Sequence, residues 1–187
     1  MKIKEITLTA IFSAILCLFS IITFPIGAVP VSLATFGVMV IASFTKPKCA
    51  TLSVLVYIIL GCVGLPIFSS FGSGPSVIFG ARGGYILSYP IMAAVISIIS
   101  QKNKKHRKTM LLLSYIISLI VCHLLGSIWY CAVTQIPFKK AFMVTILPFI
   151  IPDFVKIFAA IITVSAAEKS VFKRSFSTHQ KNSGVDK

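Results

Sequence analysis

Acidic side chains are almost missing from this chain of 187 residues: two Asp and two Glu stand against eighteen Lys and Arg. Charge of either sign is scarce, at 12% of residues, and that excludes an ordinary soluble domain of this size, which carries about a quarter. Five cysteines, at 17, 49, 62, 122 and 131, form no C-x-x-C and no Cys/His spacing, so neither a disulfide nor a metal site is expected. No G-x-x-x-x-G-K-[ST] occurs, so the chain does not hydrolyse ATP through a Walker A loop. G-x-S-x-G and H-E-x-x-H are missing too, as is any internal repeat of the kind that marks inverted-repeat transporters. The formal charge of +14 does not point to nucleic acid, because the cations form short clusters between apolar runs and no basic face interleaved with aromatics.

What is present is hydrocarbon. Fifty-seven per cent of residues are hydrophobic and the mean hydropathy is +0.97, which predicts an all-α integral membrane protein. Six spans can be drawn between Pro, Gly and charge clusters: Ile6 to Phe24, Val31 to Phe44, Cys49 to Leu65, Gly83 to Ser100, Thr109 to Gln135 and Asp153 to Ala167. The first is too long for a signal-peptide core and lacks a small-x-small cleavage site, so it reads as a retained helix. With both termini cytoplasmic, fourteen Lys and Arg lie inside against three outside, Arg82, Lys139 and Lys140. That asymmetry fixes the orientation and puts two long connections, 66–82 and 136–152, on the external side. Residues 1–168 form one six-helix transmembrane domain, and 169–187 read as a polar, disordered cytoplasmic tail.

One cation stands apart. Lys156 falls inside the last span, three residues after Asp153 in "IPDFVKIF", and i to i+3 spacing puts both side chains on one helix face. A charge at that depth costs about 2.5 to 3.5 kcal/mol on insertion scales unless it finds a partner or water. Two readings are open. The pair serves structure, with Lys156 snorkelling outward, or it faces a cavity and takes up a small molecule with complementary donors and acceptors.

A second candidate is "FGARGGY", residues 79–85. Its glycines, Gly83 and Gly84 among them, allow backbone to approach either a ligand or a neighbouring helix; Tyr85 offers a ring with a polar tip. Arg82 is the one charge in its loop. His123 reads as a buried polar contact, since no second metal-type residue has suitable spacing, and Trp129 and Tyr130 as interfacial anchors. Ala10 and Ala14, with Ser13, give the first helix a small-residue strip suited to close packing within the fold or against a partner protein.

Three blocks, in order, match a known pattern: "VPVSLATFGVMV", "YIILGCVGLPIF" followed by "GARGGY", and "LPFIIPDFVK". They resemble the BioY family, the biotin-specific substrate-binding (S) components of energy-coupling factor (ECF) vitamin transporters, over nearly the whole chain. The resemblance implies an S-component-like bundle in the cell membrane of a bacterium that captures biotin from outside, with Asp153, Lys156, Tyr85, Gly83 and Gly84 at the ligand. It further implies that Ala10 and Ala14 meet a transmembrane coupling subunit, itself driven by two cytoplasmic ATPases. Biotin acts here as ligand; no cofactor and no catalytic residue is implied.

Three departures stand out: Ala34 where the family often has Gln, Ile151 ahead of Asp153, and Ala81-Arg82 in place of Pro-Thr. Arg82 is a candidate clamp for the biotin carboxylate. Two other classes remain as alternatives: a proton-coupled carrier with Asp153 as its relay, and, with weaker support, an intramembrane enzyme built on His123 and a serine.

Overall fold

The computed structural model describes residues 2–25, 30–102 and 106–183, with side chains as far as Ser170. Among these residues helices alternate with short connections. In chain order they are α1 (Ile3–Ile21), a hairpin of β1 (Thr23–Phe24) and β2 (Val31–Ser32), α2 (Ala34–Phe44), α3 (Pro47–Cys62), α4 (Pro75–Phe79), α5 (Gly83–Ser100), α6 (Arg107–Thr134), α7 (Phe138–Thr145) and α8 (Ile150–Ser183). The hairpin is antiparallel, with Thr23 opposite Ser32 and Phe24 opposite Val31. The expected all-helical class holds, and the hairpin removes Val31 and Ser32 from the helix drawn there.

Prolines mark the helix starts for a physical reason: in the first turn the missing N–H has no helical partner in any case. Pro47 opens α3 in this way. Pro152 lies inside the first turn of α8, which starts three residues earlier than expected because the turn Leu147–Phe149 leads directly into it. At the other end α8 continues to Ser183, beyond the expected end at Ala167; no Pro or Gly intervenes before Gly184. Backbone for 169–183 is thus helical where a disordered tail was expected.

Among the described residues, four stretches are long and apolar enough to cross a membrane: Ile3–Ile21, Gly83–Ser100, Arg107–Thr134 and Phe138–Ser170. Helices α2 and α3, of 11 and 16 residues, fall short of the roughly 20 that a full crossing takes. Helix direction alternates, as one cluster shows. The Arg107 guanidinium at the start of α6 donates to the carbonyls of Ser43 (2.7 Å) and Ser100, at the ends of α2 and α5, and to Glu168 of α8 (2.9 Å). These four positions therefore share one end of the bundle.

The outer surface carries what a soluble protein would bury. Phe154, Val155, Phe158 and Ile162 of α8 are exposed, while Asp153, Lys156, Ile157, Ala160 and Val164 point inward. Such a helix is inverted relative to water, with its ionic groups inside and its hydrocarbon outside, and only lipid makes that arrangement favourable. Two interior tyrosine hydroxyls are paired across helices, Tyr57 with Ser20 at 2.6 Å and Tyr115 with Ser43 at 2.8 Å, as a nonaqueous surround favours.

Candidate functional site

Four helices bring polar groups together at the end of the bundle opposite Arg107. Helix α8 supplies Asp153 and Lys156, whose residues are only 6% and 5% exposed, so neither snorkels to a surface. Lys156 Nζ donates to Asp153 Oδ1 at 3.3 Å and to Thr35 Oγ1 of α2 at 3.0 Å. From α6, His123 Nε2 donates to the other carboxylate oxygen, Asp153 Oδ2, at 2.6 Å. The carboxylate thus has a partner on each oxygen, and an ionised carboxylate keeps further lone pairs for a ligand. Its place in the first turn of α8 also lets the helix dipole favour its charge.

Tyr85, in the first turn of α5, forms an aromatic wall with Phe149 and His123. Tyr85 and Phe149 are parallel at 6.1 Å between ring centres, and His123 stands edge-on to both, at 6.0 and 5.5 Å. The Tyr85 hydroxyl donates to the carbonyl of Thr145 in α7 at 3.3 Å, which fixes the ring. Thr145 is itself tied to Ser127 of α6 at 2.8 Å.

Asp153, Lys156, Thr35, His123, Tyr85 and Arg82 all border one cleft, closed elsewhere by Ser32, Tyr89 and Phe149. Its free volume is ≈ 30 Å³, far below the roughly 300 to 1,000 Å³ of small-molecule pockets, so a vitamin-sized ligand enters only as these side chains separate. The composition suits such a ligand: an acceptor-only carboxylate and a donor-only ammonium lie one helical turn apart beside three flat rings.

Of the residues singled out in the sequence, Asp153, Lys156, Tyr85 and Arg82 line the cleft, Arg82 with Nη1 donating to the Ser69 carbonyl at 3.2 Å. Gly83 and Gly84 do not. A methyl group on Gly83 would overlap the Ile78 carbonyl of α4, and one on Gly84 would overlap Trp129 of α6, so Gly83 lets α4 pack on the start of α5 and Gly84 lets α5 and α6 close together beside Tyr85. Trp129, expected as an interfacial anchor, packs there and donates to the Gly80 carbonyl at 3.0 Å. On α1 the small-residue strip is split: Ser13 turns inward and donates to the Ser53 carbonyl, while Ala10 and Ala14 stay on the exposed face.

Three residues of the site carry no local signal in the sequence: Thr35 as a partner of Lys156, Phe149 in the wall, and Gly126, where a methyl group would overlap the Tyr85 ring. His123 is a polar contact, as expected of it, but a partly buried one, and the structure adds its partner, Asp153.

This arrangement has relatives. A family model described as the BioY family matches residues 1–173. The "Probable biotin transporter BioY" of Pyrococcus horikoshii is 37% identical over 162 residues, covering 87% of this chain and 94% of that protein. The "Biotin transporter BioY2" of Lactococcus lactis is 29% identical over 163 residues, covering 87% and 88%. Among solved structures, the S-component for biotin from an ECF-type ABC transporter superposes with a TM-score of 0.77 at 25% identity, covering 90% of this chain and 92% of that one. With the cleft and its charge pair inside a bundle of this form, and a family match over nearly its full length, the chain belongs to the BioY family.

Proposed function

We propose that this chain is the biotin-binding membrane subunit of an ECF-type uptake system, taking biotin at the cleft between α2, α5, α6 and α8. One observation carries the reading: Asp153 and Lys156 are buried and inward-facing on a helix whose other face is hydrocarbon, and they border a cleft instead of pairing only with each other. Biotin complements that chemistry. Its ureido ring offers two N–H donors to Asp153 and a carbonyl to Lys156, its apolar body packs on Tyr85 and Phe149, and its carboxylate reaches toward Arg82 at the mouth. Gly83 and Gly84 act through Tyr85 by the close packing they permit.

Six crossings, with the shorter α2 and α3 completed by flanking segments, leave both termini cytoplasmic and the cleft in the external half of a plasma-membrane protein. Residues 1–168 are the binding domain. Family members are transport proteins and not enzymes, so the intramembrane-enzyme reading falls away. Energy comes from a transmembrane coupling subunit that meets Ala10 and Ala14 on the open face of α1, and from two cytoplasmic ATPases behind it.

Calorimetric titration of the purified chain with biotin tests the reading. Saturable one-to-one binding, lost in Asp153→Asn and in Lys156→Ala, is expected; binding that both variants retain would return the pair to a structural role. Arg82→Ala should weaken biotin but not its methyl ester, and equal effects on both would remove the carboxylate clamp. Uptake that collapses with a protonophore while ATP is held constant would favour the proton-coupled carrier.

A further inference from the structure

His123 has two ring nitrogens with different fates. Nε2 donates to Asp153 Oδ2 at 2.6 Å, whereas Nδ1 is buried without a hydrogen-bond partner among the described residues. A histidine kept only for structure is expected to satisfy both ends, since an orphaned buried nitrogen is a net cost. Here one end is left unpaired and the other is held close to the carboxylate.

Position adds a second argument. His123 and Asp153 border the inner cleft and also a groove of ≈ 390 Å³ between α6, α7 and α8 on the membrane-facing side. The imidazole, together with Asp153, therefore forms a thin partition between the inner cleft and that groove. Its edges rest on Tyr85 and Phe149, so the ring cannot swing without disturbing that wall.

Resting on the biotin reading, we propose that His123 is a positioning residue for ligand selection: by binding Oδ2 from α6 it holds the Asp153 carboxylate with its remaining lone pairs toward the cleft, where they select a ligand with a cyclic-urea N–H donor. Without that bond the carboxylate rotates about its terminal torsion, which has broad wells, and its direction toward the ligand is lost. Lys156 cannot replace this function, because it sits one turn along the same helix and fixes only Oδ1.

The test uses the full chain in detergent and three substitutions. His123→Phe keeps the ring contacts and the partition but removes both nitrogens. His123→Gln places an amide N–H near the Nε2 position and restores the bond to Asp153. His123→Ala opens the partition. Each is titrated with biotin and with two biotin analogues, each lacking one ureido N–H. In the unsubstituted chain one analogue should bind at least about tenfold more weakly than biotin, the scale of a lost hydrogen bond to a charged group. His123→Phe should weaken biotin by about tenfold and cut the preference over that analogue to less than about threefold; His123→Gln should restore both, while His123→Ala should lose both.

A purely structural histidine would lower affinity for biotin and analogue equally, and that result overturns the proposal. So does biotin affinity in His123→Phe within about threefold of the unsubstituted chain. Failure of the unsubstituted chain to bind biotin at all is a distinct outcome, which removes the functional reading beneath it.

Discussion

Replacing Lys156 with Met is the most informative single perturbation of this fold. Methionine matches the length of the lysine stem and removes only the ammonium. What remains is a carboxylate 9% exposed at the side chain, with Oδ1 stripped of its partner and Oδ2 still bonded to His123. Removing one member of a buried ion pair costs about 3 to 5 kcal/mol, because the other charge stays uncompensated. The surviving His123 bond puts this case at the lower end, about 3 kcal/mol. Asp153→Asn added to Lys156→Met neutralises the stranded charge while leaving an acceptor for His123, so the double variant should recover to within about 1 to 2 kcal/mol of the starting stability. Ligand-free unfolding in detergent micelles reads this out through Trp129, the one tryptophan, whose indole is packed beside Gly84. A double variant that falls at the sum of its singles, within about 0.5 kcal/mol, would show that the two charges do not interact and would refute the reasoning.

Three further outcomes are expected. Gly126→Ala drives a methyl group into the Tyr85 ring, so stability should fall by about 1 to 3 kcal/mol and biotin should bind more weakly; an unaffected variant would mean that Tyr85 does not depend on that gap. Arg107→Met releases the carbonyls of Ser43 and Ser100 together with Glu168 and should cost about 1.5 to 3 kcal/mol, whereas Glu168→Gln, at a half-exposed pair, should cost less than about 1 kcal/mol in the same unfolding assay. Ala10→Leu with Ala14→Leu should abolish biotin uptake in cells that hold the coupling proteins while leaving calorimetric binding unchanged, because both residues lie on the outer face of α1, away from the cleft; loss of binding would move that face into the site.

Parts of this architecture are legible without coordinates because lipid punishes charge. Asp153 and Lys156 stand out from their apolar surroundings, and their i to i+3 spacing puts them on one face whatever the rest of the bundle does. The bond from His123 to Asp153 spans thirty residues and two helices, so it arises from how α6 and α8 pack and has no local signature. Glycines are ambiguous for a different reason: the absence of a side chain reads alike whether a ligand or a helix fills the space, and at Gly83 and Gly84 it is Ile78 and Trp129. Proline placed the start of α8 to within one turn, but the preceding turn at Leu147–Phe149 decided the first residue. On α1, alternate small residues look like one strip, yet Ser13 finds the Ser53 carbonyl inside while Ala10 and Ala14 stay outside.

A crystal structure of the chain grown with biotin, with the vitamin's sulfur located by anomalous scattering, tests the central claim most directly. The bicyclic ring is expected between α2, α5, α6 and α8, with one ureido nitrogen about 3 Å from the Asp153 carboxylate and the Lys156 ammonium turned toward the ureido oxygen. Biotin bound elsewhere, with Asp153 still held only by Lys156 and His123, would contradict that claim.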